Sequence, residues 1–315
     1  MKIHASLQFR GYPDEFAARI PAKWKKLIEK IHDYSGPPEG HVCWTQITVS
    51  LEEANEIVDW GRVKEDGWSR LRSIRMYDRY ELADLDDLRI VEVFESPLEQ
   101  GEPYKILNAR EALNAVQACA YCDRVDETQI ADLDVRATVN RDFKRTENEQ
   151  WLVSPRVQAI LADAGIAFRP LKSGAYAQAL IPQGCRVRTD QPPMSAFEPC
   201  LGCGLCSIFR DDTIEGNPWD LESPEIQVYR DKLVTIEPCN LQGSIARSDV
   251  GLHRAMTHPV PLHKAGQRLD YTKVLYRSRP KPLYFADVDL VRRLLKMEAT
   301  GLSFRPVNIG QSAES

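Results

Sequence analysis

The sequence predicts an α+β fold: mixed sheets with packed helices, a duplicated strand–helix–strand unit, and a zinc-knuckle, zinc-ribbon-like site. Three observations carry that expectation. Segments of alternating apolar residues are interleaved with segments of helical apolar spacing; one such segment recurs near the carboxyl terminus; and two Cys-x-x-Cys pairs, Cys119/Cys122 and Cys200/Cys203, stand far apart in the chain. Two regions are expected, an N-terminal α/β region over 1–105 and a duplicated zinc-binding α/β region over 106–315, with halves 106–185 and 186–315.

A chain of 315 residues with 43% hydrophobic and 28% charged residues has the composition of a globular protein. The formal net charge of −5 is too small to name a partner. Its distribution is uneven: Glu81 to Glu102 carries eight acids and one base, whereas Lys264 to Lys281 carries six bases and one acid. Such runs mark differently solvated faces or an interaction surface. The amino terminus lacks the apolar run of a secretory signal, and no window approaches the roughly 18 apolar residues of a membrane span. A cytoplasmic location without membrane partners is therefore expected, where eight cysteines are reduced or metal-bound.

In the N-terminal region, Phe16, Ile20, Trp24, Leu27, Ile28 and Ile31 predict a helix over 16–32, stopped by Gly36-Pro-Pro. Val42 to Val49 reads as a strand. Ser50 and Glu53 form a capping-box pattern that starts a helix through Ile57 and Trp60 to Gly61. Leu71 to Tyr80 is a further short element, and Ile90-Val-Glu-Val-Phe-Glu alternates as a half-buried strand does. Glu81, Asp84, Asp86 and Asp87 resemble a metal site on paper; a solvated turn is the simpler reading.

Beyond residue 105, Ala109 to Ala120 reads as a helix leading into the first cysteine pair, Ile130 to Val139 as a strand, and Asn140 to Gln150 as a loop. Then comes the repeat. Trp151 to Pro170 and Tyr284 to Pro306 share an aromatic strand end, an N-cap at Ser154 or Asp287, and an apolar helix stripe: Val157, Ile160 and Leu161, or Val291, Leu294 and Leu295. Each helix is expected to close at a glycine, Gly165 or Gly301, in the left-handed conformation. Each copy then ends in Phe-Arg-Pro, where proline fits a sheet edge or strand exit. Residues 211 to 283 form a long insertion relative to the first copy, with a strand at Lys232 to Ile236. His253, His258 and His263 recur every five residues there, a spacing that no single helix face provides.

The chemistry lies in the cysteines. Each Cys-x-x-Cys pair places two thiolates on one tetrahedral ion, and Gly204 allows the turn that aims backbone N–H groups at the sulfurs. Cys119, Cys122, Cys200 and Cys203 are expected to share one structural Zn²⁺; buried free thiols are the alternative. Two separate sites would need further ligands from Cys206, Cys239, His253, His258 or His263. Cys206 also extends the second pair toward an iron–sulfur pattern, but Arg210 stands where that pattern needs cysteine. Cys43, Cys185 and Cys239 stand alone and read as core or surface thiols.

With the repeated unit, these pairs give a resemblance to the bacterial double-CXXCG motif family over roughly residues 110–315. Cys200-Leu-Gly-Cys203-Gly204 carries the full motif, and Cys119-Ala-Tyr-Cys122 is followed by Asp123. Some members of that family are immunity proteins of contact-dependent or polymorphic toxin systems. The resemblance implies a non-catalytic, zinc-stabilised protein that binds and neutralises a cognate bacterial toxin. Charge alone points to the acidic segment Glu81 to Glu102, outside the span of the resemblance, as a contact surface for a basic partner. A zinc-knuckle nucleic-acid-binding protein, using Lys264, Arg268, Lys273, Arg277, Arg279 and Lys281, is the second reading. An enzyme is third, because four thiolates leave zinc no open position and neither a phosphate-binding glycine loop nor a Gly-x-Ser-x-Gly elbow is found.

Overall fold

The computed structural model describes residues 2–10, 20–35, 41–63, 71–96, 105–106, 135–136, 141–145, 151–171, 176–190, 193–196, 207–210, 227–230, 232–253 and 281–310. They form a mixed α+β molecule with several sheets and few helices. The chain divides into two compact units, residues 1–79 with 212–232, and residues 80–211 with 233–315. No helix among the described residues is long and apolar enough to cross a membrane.

The first unit is a five-stranded sheet. Its strands are β1 (Lys2–Arg10), β2 (Ile28–Ser35), β3 (His41–Ser50), β4 (Leu71–Arg79) and β15 (Gln227–Arg230), in the order β15-β4-β1-β3-β2. Alternation decides which face is covered: Ala5, Leu7, Phe9, Ile47, Val49, Ile74 and Met76 are buried, together with Ala54, Ile57 and Val58 of the helix α2 (Leu51–Val63). The predicted capping box is present, with Ser50 N–H donating to Glu53 Oε2 at 3.1 Å and Glu53 N–H donating to Ser50 Oγ at 3.2 Å. The helix runs past Gly61 to Val63. The helix expected over 16–32 is replaced, within the described residues, by one turn, α1 (Ala22–Lys25), and then by β2. The register shifts between Lys30 and His32, a bulge that interrupts the strict alternation by which a strand is read from sequence. The edge strand β15 runs parallel to β4, where Arg230 grips Asp78 with two hydrogen bonds of 2.8 and 3.2 Å.

The second unit holds two larger sheets. The four-stranded one comprises β8 (Phe143–Arg145), β9 (Trp151–Val153), β10 (Ala167–Pro170) and β11 (Ala177–Leu180), in the order β10-β11-β9-β8. The seven-stranded one runs from β13 (Met194–Ala196) through β14 (Ser207–Arg210), β17 (Ile245–His253), β18 (Lys281–Asp287) and β5 (Ile90–Glu95) to β19 (Leu302–Pro306), with β12 (Gln183–Cys185) also pairing β17. Two short ladders complete it: β6 (Lys105–Ile106) with β7 (Val135–Arg136), and β16 (Thr235–Ile236) with β20 (Asn308–Ile309). Helices α3 (Pro155–Asp163) and α4 (Val288–Lys296) bury Val157, Leu161, Val291 and Leu294 in a core shared with Val93, Trp151, Val153, Tyr284 and Phe304. A second core lies on the other face of β18, around Leu283 and Phe285 with Val187, Val234, Ile236 and Leu241.

This burial on both faces alters the expectation for β5, and other segments differ as well. β5 is not half-buried: Ile90, Val91, Glu92 and Val93 are all buried, because β5 lies between β18 and β19 and has a core on each side. Although β5 falls within the expected 1–105 region, its partners all lie beyond residue 280. The predicted loop 140–150 contains β8, whose Phe143 and Lys144 are buried. β17, nine residues long, occupies part of the expected insertion. Both Phe-Arg-Pro strands, β10 and β19, are sheet edges, as proline requires.

The two repeated segments each form a strand, a helix and a second strand parallel to the first, with an antiparallel strand between them. β11 lies between β9 and β10, and β5 lies between β18 and β19. Their helix ends differ. Gly165, at φ +79°, closes α3, with Ile166 N–H donating to Leu161 O at 3.0 Å. α4 is closed by Glu298 at φ 55°, with Ala299 N–H donating to Leu294 O at 3.1 Å, and Gly301 comes only at the entry to β19. The expectation that Gly301 caps α4 is therefore corrected.

Candidate functional site

Cys119, Cys122, Cys200 and Cys203 lie outside the described residues, as do Cys206, His258 and His263. His253 is the last residue of β17. The acidic turn is described. Glu81 N–H donates to Asp84 Oδ2 at 2.7 Å in a capping box around the 3₁₀ turn Leu82–Leu85, and this bond holds the Asp84 carboxyl below the usual carboxylate range. Asp86 faces Arg292 at 3.5 Å, and Asp87 is exposed. These carboxylates serve a cap and an ion pair. No group of three or more His, Cys, Asp or Glu side chains is arranged around a common cation among the described residues.

Charge is buried instead in structural pairs of the second unit. Arg305 and Glu92 lie opposite each other on β19 and β5 and join through two hydrogen bonds of 2.7 and 2.8 Å, with the guanidinium 4.5 Å from the Phe94 ring centroid. Lys144, fully buried, lies 3.3 Å from Glu95. Asp142 links the two repeated segments: its carboxylate accepts from Ser154 Oγ at 2.6 Å and from Thr300 N–H at 2.9 Å. Ser154 thus spends its hydroxyl on Asp142 rather than on the α3 cap, whereas Asp287 caps α4 by accepting from Asp289 N–H at 2.8 Å. Between the sheets is an apolar cavity of about 20 Å³ lined by Val93, Trp151, Leu161, Ala179 and Leu294. Such a void is dry and binds nothing polar.

One pair of reactive groups is brought together that the sequence separates. Cys185 Sγ and Cys239 Sγ lie 3.2 Å apart although the residues are 54 positions apart in the chain, which corrects their reading as isolated thiols. Val187 bridges Ile236 in antiparallel fashion, and Glu237 N–H donates to Arg186 O at 2.9 Å, so the segment leaving β12 runs alongside the segment leaving β16. Both cysteines are free thiols, Cys185 buried and Cys239 half-buried. Burial first, then the hydrogen bond to Cys239 and the Cys239 and Asp249 charges, push the Cys185 thiol up. No local motif signals this pair.

The first unit presents a polar sheet face opposite α2. The register sets His4 between Tyr77 and Ser50, and Ser6 between Arg75 and Thr48. Gln46 donates to Thr48 at 3.1 Å on the same face. His4 titrates below its ordinary value, first because it is partly buried and next because Arg79 is close.

The fold defines a mixed α+β protein whose described second unit pairs the charges it buries. Comparison with protein-family models, with characterised proteins and with solved structures finds no match.

Proposed function

We propose that this chain is a non-catalytic, zinc-stabilised protein-binding protein, similar to immunity proteins that neutralise a toxin by occluding it. The observation that carries the proposal is the pair of Cys-x-x-Cys motifs, Cys119/Cys122 and Cys200/Cys203, the second followed by Gly204. Four thiolates saturate tetrahedral zinc and leave no position for a reacting water, so the metal serves folding. The finer fold belongs to the same proposal: a zinc knuckle joins the two halves of the second region, and the two strand–helix–strand segments descend from one duplicated unit. Their common pattern of an antiparallel strand between two parallel ones supports that descent.

A binding protein needs a rigid scaffold and a complementary surface. The buried Glu92–Arg305 ion pair and the Asp142 carboxylate, hydrogen-bonded by Ser154 and Thr300, support the first requirement. The exposed acids Glu81, Asp86 and Asp87 support the second. Metal analysis of the purified chain tests the reading: about one zinc per chain is expected, lost in both Cys119→Ser and Cys200→Ser, and a metal-free folded chain overturns it. Alanine at Glu81, Asp86 and Asp87 is expected to weaken capture of a toxin encoded next to this chain. The basic run Lys264 to Lys281 supports nucleic-acid binding as a second reading; a salt-dependent mobility shift of DNA or RNA would favour it over occlusion of a toxin.

A further inference from the structure

We propose that Cys185 and Cys239 form a redox-reactive dithiol, oxidised by peroxides to a reversible disulfide. The inference is independent of the zinc proposal, since neither cysteine belongs to a Cys-x-x-Cys pair.

The geometry argues for it at both sulfurs. The Sγ atoms, at 3.2 Å, are already closer than two sulfurs in ordinary contact, and a further approach of about 1 Å would reach the roughly 2 Å of a bond. The backbones that carry them are held on both sides. Cys185 pairs with Ser248 across β12 and β17. Cys239 lies between the 2.9 Å bond from Glu237 N–H to Arg186 O and the Asn240 turn, where Gln242 N–H donates to Asn240 Oδ1 at 3.2 Å. Thiols so confined meet each other before they meet anything else, which raises their effective concentration.

Exposure divides the roles. Cys239, half-buried, is the sulfur a small oxidant reaches; Cys185, with 1% of its surface exposed, is the resolving thiol. Cys239 attacks one peroxide oxygen, the O–O bond breaks, and water leaves with the thiol proton, giving a sulfenic acid. The Cys185 sulfur then attacks the Cys239 sulfur, the S–O bond breaks, and the Cys185 proton leaves with the hydroxyl as a second water. Two thiols and one hydrogen peroxide yield one disulfide and two waters. The bond would tie β16 to β12. Since β16 pairs with β20, where Asn308 N–H donates to Val234 O at 2.9 Å, oxidation fastens this carboxyl-terminal ladder to the large sheet.

The test uses the full chain. After treatment with hydrogen peroxide, the protein is unfolded in an alkylating agent and mapped by mass spectrometry, with zinc counted on the same sample. A cross-linked peptide pair holding Cys185 and Cys239, about 2 Da lighter than the two reduced peptides and released by dithiothreitol, is expected. In Cys185→Ala the cross-link disappears and Cys239 accumulates as a sulfenic acid that dimedone traps. Recovery of both residues as alkylated free thiols while other cysteines are oxidised, or of Cys239 bonded to a different cysteine, overturns the proposal. Absence of zinc would remove the metal reading and leave the cross-link result standing.

Discussion

Of the three positive-φ glycines among the described residues, Gly165 and Gly301 have contrasting surroundings. An added Cβ at Gly165 meets nothing within 4 Å, whereas at Gly301 it collides with the Phe143 carbonyl. Gly165→Ala is expected to cost about 1–2 kcal/mol, the left-handed penalty alone. Gly301→Ala is expected to cost roughly 3 kcal/mol or more, because β8 must also move; equal urea midpoints for the two variants would disprove the distinction. Glu92 and Arg305 make a second residue-scale case. Removing one partner, as in Arg305→Met, strands a buried charge and is expected to cost about 3–5 kcal/mol, while Glu92→Leu with Arg305→Met together recovers most of it in the same urea unfolding assay. His4 supplies a pH dependence. Its folded-state value is lowered, so between that value and the ordinary 6.5 the unfolded chain binds more protons. Stability from His4 is therefore complete above about pH 6.5 and lost as pH falls toward the folded value, with Arg79, Lys2 and Glu53 as the charges around it. Denaturation at pH 7.5 and 5.5 should show a smaller loss on acidification for His4→Gln than for the wild type.

At the scale of elements, the two strand–helix–strand segments show how much a helix end depends on its neighbours. Glu298 takes the left-handed position that glycine usually fills, at a cost of about 1 kcal/mol. The strain is offset from the other helix: the Arg156 guanidinium of α3 binds the Met297 carbonyl, and lies 2.7 Å from the Glu298 carbonyl, at the end of α4. Arg293 of α4 in turn pairs with Asp163 at the end of α3 at 2.8 Å. Glu298→Gly is expected to raise stability by about 0.5–1 kcal/mol, measured by urea unfolding, since no side chain resists the conformation. The origin of the central strand also separates the segments. β11 (Ala177–Leu180) is the next strand in the chain after β10, whereas β5 precedes its segment by nearly two hundred residues. Local periodicity is blind to that difference, and so β5 read as a half-buried strand of an N-terminal region.

For the whole molecule, the zinc proposal makes metal removal a folding experiment. A chelator is expected to lower the melting temperature of the wild type and to leave Cys119→Ser, already without metal, unchanged; an unmoved wild-type melting temperature would count against a structural ion. What the sequence determined by itself is local in origin: the Ser50/Glu53 capping box, strand β3, the strand–helix–strand order of both repeated segments, and Phe-Arg-Pro at sheet edges. Each follows from residues within one turn or one strand of each other, where sterics and side-chain period suffice. Tertiary structure decided what depends on distant partners: the conversion of 28–35 to a bulged strand, the burial of β5 between β18 and β19, the seating of Lys144 beside Glu95, and the meeting of Cys185 with Cys239. In those places the free energy comes from pairing and burial across long chain separations, and no short-range pattern in the residues themselves records it.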